Sequence, residues 1–247
     1  MMGYLEEGFN KIYKDDLETQ KQYLHIIADD IRHCSVDVFT DNFGVFVPNN
    51  EYMTQNFGDK IKAFEYTSDG RCVWNSAVIF PIYDVLDEVV AILGYFPLNK
   101  LKEDAGPSYK VSSKEVFDRK KFFFSPKGVM RKSLEDGYIV LTDGVFDTLQ
   151  LNQIGINAMA LMGSYLSKEH IAYLTLLDRV YLAVDNDRAG VNLLSYLRKQ
   201  IKSAKGIRFN KYKDIDDVLK SEHREEFLNK LKINLEQDYP GDIIITL

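Results

Sequence analysis

Apolar and polar positions along this chain follow two rhythms. From Tyr138 onward, short apolar runs alternate with longer stretches whose apolar residues recur every three or four positions. Tyr138–Thr142, residues 157–161 and residues 180–184 read as strands, and Ile207–Phe209 as a fourth. Between them, residues 146–153 read as a helix closed by Gly155, which tolerates the left-handed backbone that ends helices. Ser167 reads as the cap of a helix burying Ile171, Leu174 and Leu177. Residues 189–202 place Val191, Leu194, Leu197 and Ile201 on one helical face. Strands alternating with helices of this length imply a parallel sheet covered by helices. Earlier in the chain the rhythm is mixed. Residues 77–84 and 89–95 read as two strands joined by the acidic turn Leu86-Asp87-Glu88, a hairpin. Residues 6–33 carry a helical pattern, and residues 36–48 alternate. The expected fold is therefore α/β, with the parallel-sheet domain at 134–215. An α+β lobe precedes it at 1–133, and a helical and tail segment follows at 216–247.

Composition narrows the classes. The chain has 247 residues, 45% hydrophobic and 28% charged, enough for a sizeable core. No apolar run approaches the ~18–20 residues of a membrane span, and the N-terminus lacks a signal-peptide core, so the reading is cytoplasmic with no membrane partner. Cys34 and Cys72 are the only cysteines, too few for a disulfide framework or a four-cysteine zinc site, and His33-Cys34 reads as an ordinary pair in a reducing compartment. Net charge is −6, yet between Lys100 and Lys132 ten Lys or Arg face four Asp or Glu. That asymmetry points to a local polyanion-facing surface on an acidic body, against the alternative of a solvated loop.

Ligands of an open parallel sheet bind at the carboxyl ends of its strands. Asp143-Gly144 ends the first strand and Asp185-Asn186-Asp187 the third. Asp185 and Asp187, two apart on extended backbone, share one face. Asp214 and Asp216 repeat that spacing after the fourth strand. Carboxylates gathered at one edge repel unless a divalent cation neutralises them, and oxygen-only ligands favour Mg²⁺ or Mn²⁺. Paired ions of that kind can activate a hydroxyl and stabilise a leaving phosphate. The competing reading is that Asp185 to Asp187 merely cap the next helix.

The stretch Leu141 to Gly190, with its Asp-Gly after one strand and Asp-Asn-Asp-Arg-Ala-Gly after another, resembles a Toprim domain. Gly155 and Gly163 at matching loops, VIFPIYD upstream, PSYKVSSKEVFDR and KDIDDVL make it similar to bacterial-type, DnaG-like DNA primases in particular. The resemblance implies synthesis of short RNA primers on single-stranded DNA from ribonucleoside triphosphates, with Mg²⁺ or Mn²⁺. Asp185, Asp187, Asp214 and Asp216 would then bind metal. Asp143 would stand at the catalytic acid, also a metal ligand, and Asp147 would be its partner from the helix, the alternative for Asp147 being a surface residue. Lys110, Arg119, Lys120, Lys121 and Arg188 would contact template or nucleotide. The implied partners are a template strand and a replicative helicase or other replication protein. Two departures stand out: the family's first acid is usually Glu, one methylene longer than Asp143, and Ser108 replaces a triphosphate-gripping Lys. With neither a zinc-binding domain before the core nor a helicase-binding domain after it, the sequence reads as a phage or mobile-element primase, or as a component that works with partners. Two other readings use the same fold: a metal-dependent nuclease and a non-catalytic replication or repair accessory protein.

Overall fold

The computed structural model describes residues 77–97, 121–163, 165–183, 187–209, 211–212, 214–237 and 240–247. It also describes the backbone of 109–111, together with Leu24 and Trp74. The expected helix at 6–33 (Leu24 apart), the alternating segment 36–48, both cysteines, Arg119, Lys120 and Asp185 lie outside the described residues, and Lys110 is described only by its backbone. The chain divides into two compact units, Met1–Asp118 and Arg119–Leu247.

The first unit contains the expected hairpin. β1 (Val78–Tyr83) pairs antiparallel with β2 (Val89–Tyr95), from Val78 opposite Tyr95 to Tyr83 opposite Val89. The turn is held by Asp84, whose Oδ1 accepts from the N–H groups of Leu86 and Glu88 at 2.9 and 3.0 Å. Asp87 takes the left-handed conformation there, which Asp tolerates better than most residues. Pro81 lies within β1, which among the described residues pairs only with β2, an edge position of the kind where strands tolerate proline. Gly94 serves packing: a Cβ there would sit 2.8 Å from the ring of Trp74, which is buried. β3 (Tyr109–Val111) pairs antiparallel with β2 within the basic stretch between Lys100 and Lys132. Three residues are too few for a periodicity to register.

The second unit is the expected parallel sheet. After α1 (Val129–Asp136) come β4 (Tyr138–Thr142), α2 (Val145–Gln153), β5 (Ala158–Ala160), α3 (Lys168–Leu174), β6 (Arg179–Ala183), α4 (Arg188–Gln200) and β7 (Ala204–Phe209). α5 (Ile215–Leu219), α6 (Arg224–Glu236) and β8 (Ile243–Ile245) complete it. The strand order is β5-β4-β6-β7-β8, all parallel. Successive residues of β4 serve opposite cores, as the two-residue strand period demands. Val140 joins Tyr181, Phe209, Phe227 and Leu231 beneath α2, α5 and α6. Ile139 and Leu141 join Val180, Leu182, Leu174, Leu194 and Leu197 beneath α1, α3 and α4.

Local signals act where expected. Ser167 caps α3, accepting from the N–H of His170 at 3.2 Å, while His170 Nδ1 accepts from the N–H of Ser167. Gly155, at φ 83°, turns the chain after α2. One expectation is corrected: Val191 is 43% exposed. The buried stripe of α4 begins instead at Gly190 and continues through Leu194, Leu197 and Ile201. A glycine carries no apolar signal in a sequence, so the stripe seemed to start one residue, about 100°, too late. β8 is a fifth strand in the segment expected to be helix and tail, and Asp242 secures its start. Its Oδ1 accepts from the N–H of Gly206 at 2.8 Å and pairs with Arg198.

Candidate active site at the carboxyl edge of the parallel sheet

The strand order fixes where a site can form. The chain leaves β4 through α2 to β5 on one side, and leaves β6 through α4 to β7 on the other. α2 packs in one core and α4 in the opposite one. Adjacent strands whose outgoing connections diverge leave a crevice at their carboxyl ends, here between β4 and β6. Thr142 and Ala183 are paired at that edge. Asp143 therefore leaves β4 beside the carboxyl end of β6.

The first turn after β4 is tightly organised. The Thr142 and Thr148 hydroxyls lie 2.7 Å apart and both reach the Gly144 carbonyl at 3.0 Å. This locks the turn that presents Asp143, which is exposed. Gly144 leaves room for the Asp147 carboxylate: a Cβ there would overlap Asp147 Oδ2. Asp147, far from being a surface residue, is 7% exposed. Its Oδ1 accepts from the backbone N–H of Asp216 at 2.8 Å. Gln150, one helical turn further along α2, donates to Asp216 Oδ1 at 2.6 Å. Two residues on one face of α2 thus hold the start of α5 against α2.

Burial pushes the Asp147 carboxyl up from an ordinary 3.8 to about 7, and the negative charges of Asp214, Asp216 and Asp143 push it the same way, against the Asp216 N–H. Three sequence-predicted acids thereby converge electrostatically on the fourth. Asp214 caps α5, its Oδ1 accepting from the N–H of Asp217 at 2.8 Å. Asp187 caps α4, accepting from the N–H of Gly190 at 2.8 Å. The capping role weighed from sequence is thus real for Asp187, and it uses one carboxylate oxygen. Asp216 is engaged at both oxygens, Oδ1 by Gln150 and Oδ2 by Lys220 one turn later. Among the described residues no group of three or more His, Cys, Asp or Glu is arranged to hold a metal ion.

Of the basic candidates, Arg188 is the exposed first residue of α4, beside Asp187, and Lys121 is exposed in a turn. Gln150 and Lys220 were missed. Each stands three or four residues from an acid on the same helix, a spacing that places side chains together but recurs on most solvated helices.

A Toprim-like family model matches residues 140–219, so the fold and the acidic edge define a Toprim-type α/β domain. The fold is similar to that of DnaG-like primase cores. It is similar to the crystal structure of the Aquifex aeolicus primase zinc-binding and RNA polymerase domains, with a TM-score of 0.67 at 20% identity over 94% of this chain and 60% of that one. It is also similar to the E. coli primase catalytic core, with a TM-score of 0.62 at 20% identity over 96% of this chain and 80% of that one. In sequence it is 26% identical over 165 residues to the DNA primase of Buchnera aphidicola, covering 62% of this chain and 28% of that protein. It is 29% identical over 175 residues to the DNA primase of Thermotoga maritima, covering 66% and 29%. The chain thus spans less than a third of the length of these primases. Among the described residues no helix is long and apolar enough to cross a membrane.

Proposed function

We propose that this chain is the catalytic core of a DNA primase, joining ribonucleotides into short RNA on a single-stranded DNA template. The observation that carries the reading is Asp147, its pKa raised to about 7 first by burial and then by the charges of Asp214, Asp216 and Asp143, at the topological switch of a primase-type fold. So much negative charge at one edge suits a hard divalent cation and strands of phosphate drawn to it. Asp185, Asp187, Asp214 and Asp216 are the residues that would hold Mg²⁺ or Mn²⁺, and Asp143 borders them. A bound cation would supply charge neutralisation and a more acidic attacking hydroxyl. The chain's own residues do the positioning. The Thr142–Thr148 pair fixes the Asp143 turn, Asp147 and Gln150 fix the Asp216 loop, and the helix caps fix Asp187 and Asp214. Fixed geometry is what a two-substrate condensation needs, since orientation accounts for much of its rate. Asp143, shorter than the family's usual Glu, makes Mn²⁺ the better-tolerated ion. Lys110, Arg119, Lys120, Lys121 and Arg188 supply phosphate contacts, and a replication protein such as a helicase supplies local concentration at the template.

Support comes also from a structure of similar fold, a DnaG primase catalytic domain bound to single-stranded DNA, with a TM-score of 0.62 and 18% identity. The test is incubation with single-stranded template, labelled ribonucleotides and Mg²⁺ or Mn²⁺. New short RNA is expected, and Asp187→Asn, which keeps the cap but not the charge, abolishes it without lowering the melting temperature. Template cutting with no RNA product would refute the reading.

A further inference from the structure

The segment just before α1 is bound to the far edge of the catalytic sheet. Phe124 and Ala160 exchange two backbone hydrogen bonds, of 2.9 and 3.0 Å, in an antiparallel bridge to the edge strand β5. Because the bridge is antiparallel, residues 121–123 run from Phe124 toward the carboxyl end of β5, the same edge that carries Asp143 one strand away. Contacts with α3 confirm this course. Phe123 is buried, its ring 4.3 Å from that of His170, the Phe122 carbonyl faces His170, and Lys121 lies within electrostatic reach of Glu169.

At that edge the chain exposes aromatic surface from two directions. Tyr165, in the loop between β5 and α3, is 60% exposed, although Leu166 and Ser167 directly after it are buried. Phe122 is 36% exposed between solvent-facing Lys121 and buried Phe123. Lys168, first residue of α3, is exposed as well. A core-forming strap would bury all its aromatics. This one buries Phe123 and Phe124 and leaves Phe122 partly exposed, at the end of β5 from which the Tyr165 loop departs. Glu169 is the one acid among these positions, and Lys121 offsets it.

We propose that Tyr165 and Phe122, flanked by Lys121 and Lys168, form a stacking platform for single-stranded nucleic acid at the β5 edge of the site. Unpaired bases stack on aromatic faces with little regard to sequence, while lysines meet the phosphates. The platform would hold the template strand as it passes the acidic edge. It would partly compensate an acidic body that attracts nucleic acid poorly over distance. Folded protein partners with acidic surfaces are the other occupants such a patch could take. The exposed rings and the lysines together favour the single strand.

This inference rests on the primase reading for the strand's identity but not for its binding. Anisotropy of a labelled oligo-dT titrated with the whole chain at low salt tests it. Tyr165→Ala is expected to weaken binding by roughly 5- to 150-fold, the range for one lost stacked base, whereas Tyr165→Phe, which keeps the ring, binds like the wild type. Lys121→Ala with Lys168→Ala is expected to flatten the log–log salt slope by about 1.4. All four positions are exposed, so unchanged melting curves should accompany these effects. Wild-type-like affinity of the Tyr165→Ala, Phe122→Ala double variant, or no binding of oligo-dT by the wild type, overturns the platform. Loss of binding in the Ala variants of a protein that makes no RNA would sustain the platform and sink the primase reading.

Discussion

Replacing Asp147 by Asn isolates the electrostatic cost of the acidic edge. Asp147 ionises near 7 in the folded protein and near 3.8 unfolded. Its folded value is the higher one, so proton uptake favours the native state. The contribution is complete below pH 3.8 and is lost as pH rises through 7. At pH 8 the ionised carboxylate therefore costs about 4 kcal/mol relative to a permanently neutral group, and at pH 4 less than about 1 kcal/mol. Asn keeps an oxygen to accept from the Asp216 N–H, the one hydrogen bond that ties the two loops through this side chain. Its second atom becomes an amide nitrogen close to Gly144, which takes back part of the gain. At ~2–4 °C per kcal/mol for a chain of this size, Asp147→Asn should melt several degrees above the wild type at pH 8 in chelator. The gap should close as pH falls toward 4, and Mn²⁺ should narrow it at pH 8 by stabilising the wild type. Differential scanning calorimetry across that pH range measures it. A gap independent of pH, or a variant less stable than the wild type at pH 8, would show that Asp147 is not held against its charge and would remove the argument for a cation there.

Three further outcomes can be checked on the same protein. Gly144→Ala forces a methyl group onto Asp147 Oδ2; a loss of roughly 1–3 kcal/mol in urea melts is expected, together with loss of nucleotidyl transfer, and a neutral variant would disprove the packing reason for this glycine. Lys220→Ala removes the cation that the protein itself places on Asp216; Mn²⁺ binding followed by electron paramagnetic resonance should tighten severalfold, whereas weaker binding would mean that Lys220 supports the ion. Burial lowers the pKa of His170, so the native state resists a proton that the unfolded state accepts below about 6.5; stability should fall as pH drops from 6.5 to 5, and His170→Gln should fall less, equal slopes being the refuting result.

The parallel sheet and most of its helices were legible in the residue pattern alone. Each unit there is a strand buried on both faces followed by an amphipathic helix, and both patterns are local. The caps at Ser167 and Asp187 and the turn at Gly155 were legible for the same reason, since each is a short-range bond or backbone preference. The acids Asp143, Asp187, Asp214 and Asp216 were readable because a strand's end is readable and ligands gather at strand ends.

How those acids relate to one another depends on long-range packing. Nothing local to Val145–Gln153 says that Asp147 is buried, because its burial comes from a loop 69 residues away that donates Asp216 N–H to it. Gln150 reaches the same loop from 66 residues away. Gly144 looks like a turn glycine and proves to be a clearance for a carboxylate. Gly94 likewise is a clearance for Trp74. β8 escapes because three isoleucines near a chain end carry no period, and it becomes a strand only through the edge that β7 offers. The strap at Phe124 becomes visible only once β5 is known to be the other edge. Periodicity records which face of an element is buried. Which element buries it, and what charge stands opposite, depends on chain-distant neighbours that no local pattern encodes.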